Sequence, residues 1–128
     1  MVAPVLQADS YDLAKKLMDA SALRQQAIAS NIANASTPGY HRLDVSSDFA
    51  QQLKASYATG ASAAKIGTLQ PLLTEDKDAR SVSPDGNNVG MERELLTMNR
   101  NSVEYNFEAE VVSSNLKQLK IAITGVVS

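Results

Sequence analysis

The chain has 128 residues, the length of one ordinary domain, and a net charge of −2 from 12 basic and 14 acidic side chains. That balance supplies no strong field for nucleic acid or an anionic membrane surface. The absence of cysteine excludes disulfides, thiolate metal sites and cysteine catalysis, and an aromatic content of 5% is small for a compact core.

The first residues, Met1, Val2, Ala3, Pro4 and Val5, carry no basic region, and no long apolar run follows. A cleaved secretory leader is therefore not expected, and neither is a membrane span. Asp9, Ser10, Tyr11 and Asp12 read as a helix start, with Asp9 or Ser10 as N-cap and Asp12 near the positive helix end. Leu13, Leu17, Ala20, Leu23, Ala27, Ile28 and Ile32 then make an apolar stripe at helical spacing. The helix is expected to stop near Asn34 or Ala35. Asn31 and Asn34 stand three apart on its last turn and so share a face. Thr37, Pro38, Gly39 and Tyr40 follow. Pro38 disfavours helical geometry in Thr37, and Gly39 permits the turn.

The middle is harder to organise. Residues 48–57 read as a short helix with Phe49 and Leu53 on one face, residues 59–64 as a flexible linker, and residues 66–73 as a short extended piece weakened by Gly67 and Pro71. Ser83, Pro84, Asp85, Gly86, Asn87 and Asn88 form a strong turn signal. A stretch this long with so little regular structure is unusual inside a compact domain, and it reads as partly disordered in isolation.

The C-terminal third is the clearest helix, with Asn87 or Asn88 as N-cap. Met91, Leu95, Met98, Ser102, Tyr105, Ala109, Val112, Leu116, Leu119, Ile123 and Val126 recur at alternating spacings of four and three, a heptad seam that argues for coiled-coil packing. Glu92 and Glu94 near its start and Lys117 and Lys120 near its end suit the helix dipole. The expected fold is mainly α: two long terminal helices in an antiparallel coiled-coil hairpin, joined by a long, partly irregular middle segment. Residues 1–40 and 85–128 form one discontinuous helical unit, and residues 41–84 a flexible segment between them. One partner helix covers only part of the seam, so other chains are expected to complete it.

The sequence Asn-Ile-Ala-Asn-Ala-Ser-Thr-Pro-Gly-Tyr at residues 31–40 resembles the N-terminal signature of bacterial flagellar basal-body rod proteins, which also recurs in hook and hook-associated proteins. Asp85, Gly86, Asn87, Asn88 and Val89, followed by Met91, Glu92, Arg93, Glu94 and Leu95, resemble the start of the C-terminal helix in the proximal members of that family, and Tyr105 fits the same pattern. The likeness covers the first 40 residues and the last 44; the middle matches loosely through Asp48, Phe49 and Leu53. Gly90 departs from it, standing where the family usually has an acidic residue.

The resemblance implies a non-enzymatic structural subunit. Such proteins pass through the flagellum's own type III export apparatus and assemble in the periplasm into a helical tube that transmits torque. The implied partners are other rod proteins, copies of the same chain, the membrane-supramembrane ring, the adaptor protein between ring and rod, and the export apparatus, with no nucleic acid, cofactor or direct membrane insertion. The residues expected to serve assembly are Asn31, Asn34, Thr37, Pro38, Gly39, Tyr40, Asn87, Asn88, Leu95, Tyr105, Val112, Leu116, Leu119 and Ile123. The alternative is a soluble helical adaptor or secretion chaperone of a type III export system, which shares the amphipathic helices but has no reason to carry both signature blocks. Glu104 and Glu108, four apart, read as a solvated face or as a patch that meets a basic neighbour. His41, with Asp44 and Ser46 nearby, offers no geometry for a triad or a metal site.

Overall fold

In the computed structural model, which describes residues 3–60, 63–79 and 82–125, the chain is mainly helical. The order is α1 (Ala3–Ala33), β1 (Leu43–Val45), α2 (Ser47–Ala58), α3 (Ala63–Gly67), β2 (Leu73–Glu75) and α4 (Met91–Thr124). Helix α1 begins six residues ahead of the start read at Asp9 or Ser10, which lie inside it. Pro4 sits in the first turn, where a missing N–H leaves no bond unmade. Asp and Ser within a helix each cost less than about 0.7 kcal/mol relative to alanine, too little to force a cap there. The helix ends at Ala33, close to the expected stop.

Helix α2 is where periodicity placed it. The Ser46 hydroxyl accepts from the Asp48 N–H at 3.3 Å, and Asp48 lies in the positively polarised first turn. Phe49 and Leu53, four apart, turn inward and are almost fully buried with Ala20 of α1 and Ile66 of α3; Leu13, Val45 and Leu69 pack around them. Alanine at position 20 leaves room on α1 for these larger side chains. Burying Phe49, Leu53 and Ile66 stabilises the fold by about 1.5–3 kcal/mol each.

The extended reading of residues 66–73 is corrected in part. Ile66 is helical, carried inward by α3, and only Leu73–Glu75 forms a strand. Alanine and lysine ahead of Ile66 favour helix, and the Phe49–Leu53 face gives its side chain somewhere to go. Strand β2 pairs antiparallel with β1, Leu43 opposite Glu75, Asp44 opposite Thr74 and Val45 opposite Leu73. The middle of the chain thus carries two helices and a small sheet.

Helix α4 starts without a side-chain cap. Gly90 is its N-cap residue, extended at φ −103° and ψ 111°. Asn87 and Asn88, the expected caps, are engaged elsewhere. At the far end Gly125 takes a left-handed conformation, φ 67°, and its N–H returns to the Ile121 carbonyl at 2.7 Å. Val126 lies outside the described residues.

Side-chain contacts between α1 and α4 run in opposite order along the two helices: Asn31 meets Glu94, Gln25 and Ser21 meet Asn101, and Ser21 meets Glu108. Among the described residues, seven polar or charged side chains are buried and seven apolar ones. Half of these buried side chains are therefore polar or charged, groups that cost stability unless they are hydrogen-bonded.

Candidate functional site

The turn after α1, the strand that follows it and the approach to α4 converge on one polar junction. Asn31, fully buried on the last turn of α1, treats Leu43 as a strand would. Its amide Nδ2 donates to the Leu43 carbonyl at 2.9 Å, and its Oδ1 accepts from the Leu43 N–H at 2.8 Å. The same Oδ1 accepts from the Tyr40 hydroxyl at 3.1 Å, and Nδ2 also reaches Glu94 Oε2 at 3.3 Å. One side chain thereby ties α1, the turn, β1 and α4 together. Asn34 does less. Its Nδ2 donates to the Ser30 carbonyl at 2.9 Å, and its Oδ1 accepts from the Thr37 hydroxyl at 3.1 Å, at a half-buried position.

Thr37, Pro38, Gly39 and Tyr40 form the expected turn. The Tyr40 N–H bonds the Thr37 carbonyl at 3.2 Å, and Gly39 has φ +74°, the pattern of a type II turn with proline second and glycine third. Gly39 then donates to the Asp85 carbonyl at 2.9 Å, and the Tyr40 carbonyl accepts from Asn88 N–H at 3.2 Å. Gly86, also left-handed at φ +87°, lies so close that a Cβ on it would stand 3.5 Å from the Gly39 Cα.

Asn87 and Asn88 close the junction from the other side. Asn87 Nδ2 donates to the carbonyls of Asn34 and Thr37 at 2.9 and 2.7 Å, satisfying groups freed where α1 ends. Asn87 Oδ1 accepts from the Val89 N–H at 2.8 Å, and Asn88 Oδ1 from the Arg42 N–H at 2.6 Å. Both asparagines are buried. The two signature blocks, nearly fifty residues apart in sequence, are one hydrogen-bonded structure.

Beneath it lies a buried ion cluster that sequence reasoning missed. Arg42, 7% exposed, donates through Nε to Glu94 Oε1 at 2.6 Å, and Glu94 is fully buried. The Arg42 Nη1 bonds Asp76 and stands 3.5 Å from Asp44 Oδ2. Burial opposes the charge on Arg42, yet the hydrogen bonds to Glu94 and Asp76 and the charges of Glu94 and Asp44 hold its pKa above the ordinary arginine value. The helix dipole and the signature block account for an acidic residue at position 94 but not for its burial. Spacing gives no sign that position 94 meets position 42, because the pairing depends on Asn31 and β1 placing Arg42 there.

The remaining candidates lie along α4. Leu95, Tyr105 and Leu116 are exposed at 43%, 38% and 47%, and Val112 is half-buried. Leu119 and Ile123 fall in the last turns of the helix. The face of α4 that bonds α1 is offset by one position from the apolar seam: it carries Glu94, Asn101 and Glu108, while the seam turns partly outward. Glu108 accepts from the Ser21 hydroxyl at 2.9 Å. Its burial raises its pKa above the ordinary carboxylate value, assisted by Glu104 and opposed by the Ser21 bond and Arg24. Of the residues near His41, Asp44 accepts from Arg24 at 3.1 Å and Ser46 caps α2, while His41 is exposed.

The sequence that builds the junction resembles that of known proteins. A family model described as "Flagella basal body rod protein" matches residues 18–41, the end of α1 and its turn. The flagellar basal body rod protein FlgB of Escherichia coli (strain K12) is 31% identical over 118 residues, covering 80% of this chain and 84% of that protein. FlgB of Salmonella typhimurium is 32% identical over 128 residues, covering 87% and 90%, and FlgB of Yersinia enterocolitica is 33% identical over 120 residues, covering 80% and 85%. These likenesses cover 80% or more of this chain, including both signature blocks: the chain belongs to the FlgB family of flagellar basal body rod proteins, structural subunits of the rod rather than enzymes.

Proposed function

We propose that the chain assembles with other rod proteins and with copies of itself into a proximal stretch of the rod, a drive shaft that transmits torque and encloses the export channel. In this reading α1 and α4 act as an antiparallel coiled-coil hairpin, and the junction around Asn31 fixes how the middle segment leaves it. The subunit travels through the flagellar type III export apparatus and works in the periplasm. There it meets the membrane-supramembrane ring and the adaptor protein between ring and rod.

The observation that carries this reading is the outer surface of α4. Leu96, Val103 and Phe107, at spacings of seven and four that set them on one face of the helix, are 53–70% exposed, an apolar row of the kind that marks a protein–protein contact. Heterologous contacts between such faces, which do not close on themselves, propagate into a helical assembly. Among the described residues no helix is long and apolar enough to cross a membrane, so lipid is not what α4 meets by spanning it.

Deleting the residues after Leu116 tests the reading. Incorporation into hook–basal bodies and motility are expected to be lost while export of the shortened chain continues. Normal motility in that strain contradicts it, as does finding the full-length protein in the cytoplasmic fraction and absent from purified hook–basal bodies.

A further inference from the structure

Beside its apolar stripe α4 carries a second seven-residue row. Glu94, Asn101, Glu108 and Asn115 follow at intervals of seven, which an α-helix sets along one narrow line that drifts only about 20° per heptad. Glu94 and Asn101 are 0% and 2% exposed, and the other two are half-buried. The first three bond α1. Glu94 accepts from Asn31; Asn101 Nδ2 donates to the Ser21 carbonyl at 2.8 Å and to Gln25 Oε1 at 3.0 Å; Glu108 accepts from the Ser21 hydroxyl. On α1 the buried residues Ala14, Ser21 and Ile28 are also seven apart, and the two small ones leave room for polar side chains opposite.

Satisfaction declines along the row. Both carboxylate oxygens of Glu94 are engaged. Asn101 uses both amide protons, but its Oδ1 is buried without a partner, and so is Asn115 Nδ2. Polar groups in these positions cost stability. What they give in return is discrimination: an apolar seam accepts several alignments, whereas a buried polar residue accepts the one in which its bonds are made.

We propose that Glu94, Asn101, Glu108 and Asn115 form a register ladder. It makes α1 of the same chain, in a single alignment, the one helix that the inward face of α4 accepts, and so reserves the apolar stripe for other chains. Sliding α1 by one heptad, about 10 Å, takes Asn31 from Glu94 and Ser21 from Asn101. The inference rests on the hairpin reading above only in that α1 and α4 pair in the working protein.

The test is a distance measurement by electron–electron resonance on the isolated full chain. Nitroxides are placed at Asp19→Cys and Leu96→Cys, both exposed, in a protein with no other cysteine, and diluted with unlabelled chain. The unaltered ladder is expected to give one narrow distance. N101L and N101L/N115L are expected to add a second population displaced by several ångström, with helical circular dichroism unchanged. If N101L loses its helical signal, N115L, at the loosely bonded end, is read the same way. One narrow, unshifted distance in the folded variants overturns the proposal, and so does the lack of a single distance in the unaltered chain. Entry into rods plays no part in the readout, so failure of the functional reading leaves a separate signature.

Discussion

Asn31→Ala removes the side chain on which the junction depends, and its effect follows from the bonds that side chain makes. Four hydrogen bonds disappear: two to the Leu43 backbone, one to the Tyr40 hydroxyl and one to Glu94. At about 1 kcal/mol net for each bond, with a further 1 kcal/mol or so for leaving the buried Glu94 carboxylate short of a donor, the loss comes to roughly 3–5 kcal/mol. That is a large part of the 5–15 kcal/mol or so that holds a typical domain. Asn34→Ala provides the internal comparison. It stands three residues away on the same turn but loses only a bond to Ser30 and an exposed one to Thr37, for roughly 0.5–1.5 kcal/mol. Urea denaturation of the two purified variants, followed by circular dichroism at 222 nm, measures both. Equal losses, or a loss below about 1 kcal/mol for Asn31→Ala, would refute the claim that Asn31 is the junction's tie.

Glu94→Ala leaves Arg42 buried with its main partner gone, and is expected to cost about 3–5 kcal/mol in the same denaturation assay; a cost near zero contradicts the buried-pair reading. Glu108→Gln should change the pH dependence of stability. Because burial raises the Glu108 pKa in the folded chain, the fold holds its proton more tightly than the unfolded chain does, and stability is lost as pH rises from about the ordinary carboxyl value of 4.5 through the folded value. Glutamine keeps the Ser21 bond, removes that decline and gives a higher melting temperature at neutral pH; an unchanged pH profile counts against it. Gly39→Ala and Gly86→Ala each force a side chain into the left-handed region and are expected to cost roughly 1–2 kcal/mol in thermal denaturation. Gly67→Ala, with ordinary φ and open space around it, should be tolerated, and equal losses at all three positions would contradict the turn geometry.

What was legible in the sequence was the periodic and the punctuated. The stripe from Leu13 to Ile32, the Phe49–Leu53 pair and the long C-terminal repeat announced three helices because their spacing is a local property. Pro38 and Gly39 announced the turn because their backbone preferences are local too. The rest depended on contacts between distant residues. Ile66 looked extended beside Gly67 and Pro71, yet the cavity it fills is built by Phe49 and Leu53, and that burial outweighs the local signal. Asn87 and Asn88 looked like caps because asparagine favours that position, but bonds to Thr37, Asn34 and Arg42 draw them inward. The helical seam of α4 was read from its apolar residues, and the inward face proved to be the polar row beside it. Apolar periodicity shows that a helix has an interacting side; it does not say whether that side meets its own chain or another.

We hold that this chain is a rod subunit whose terminal helices meet at a fixed polar junction and present an apolar stripe to their neighbours. A cryo-electron microscopy map of basal bodies isolated from the native organism, with this chain traced, tests it most directly. The chain is expected within the rod, with Asn31 still paired with the Leu43 backbone and the exposed row of Leu96, Val103 and Phe107 covered by adjacent subunits. A rod built without this chain, or one in which that stripe faces open solvent, would contradict it.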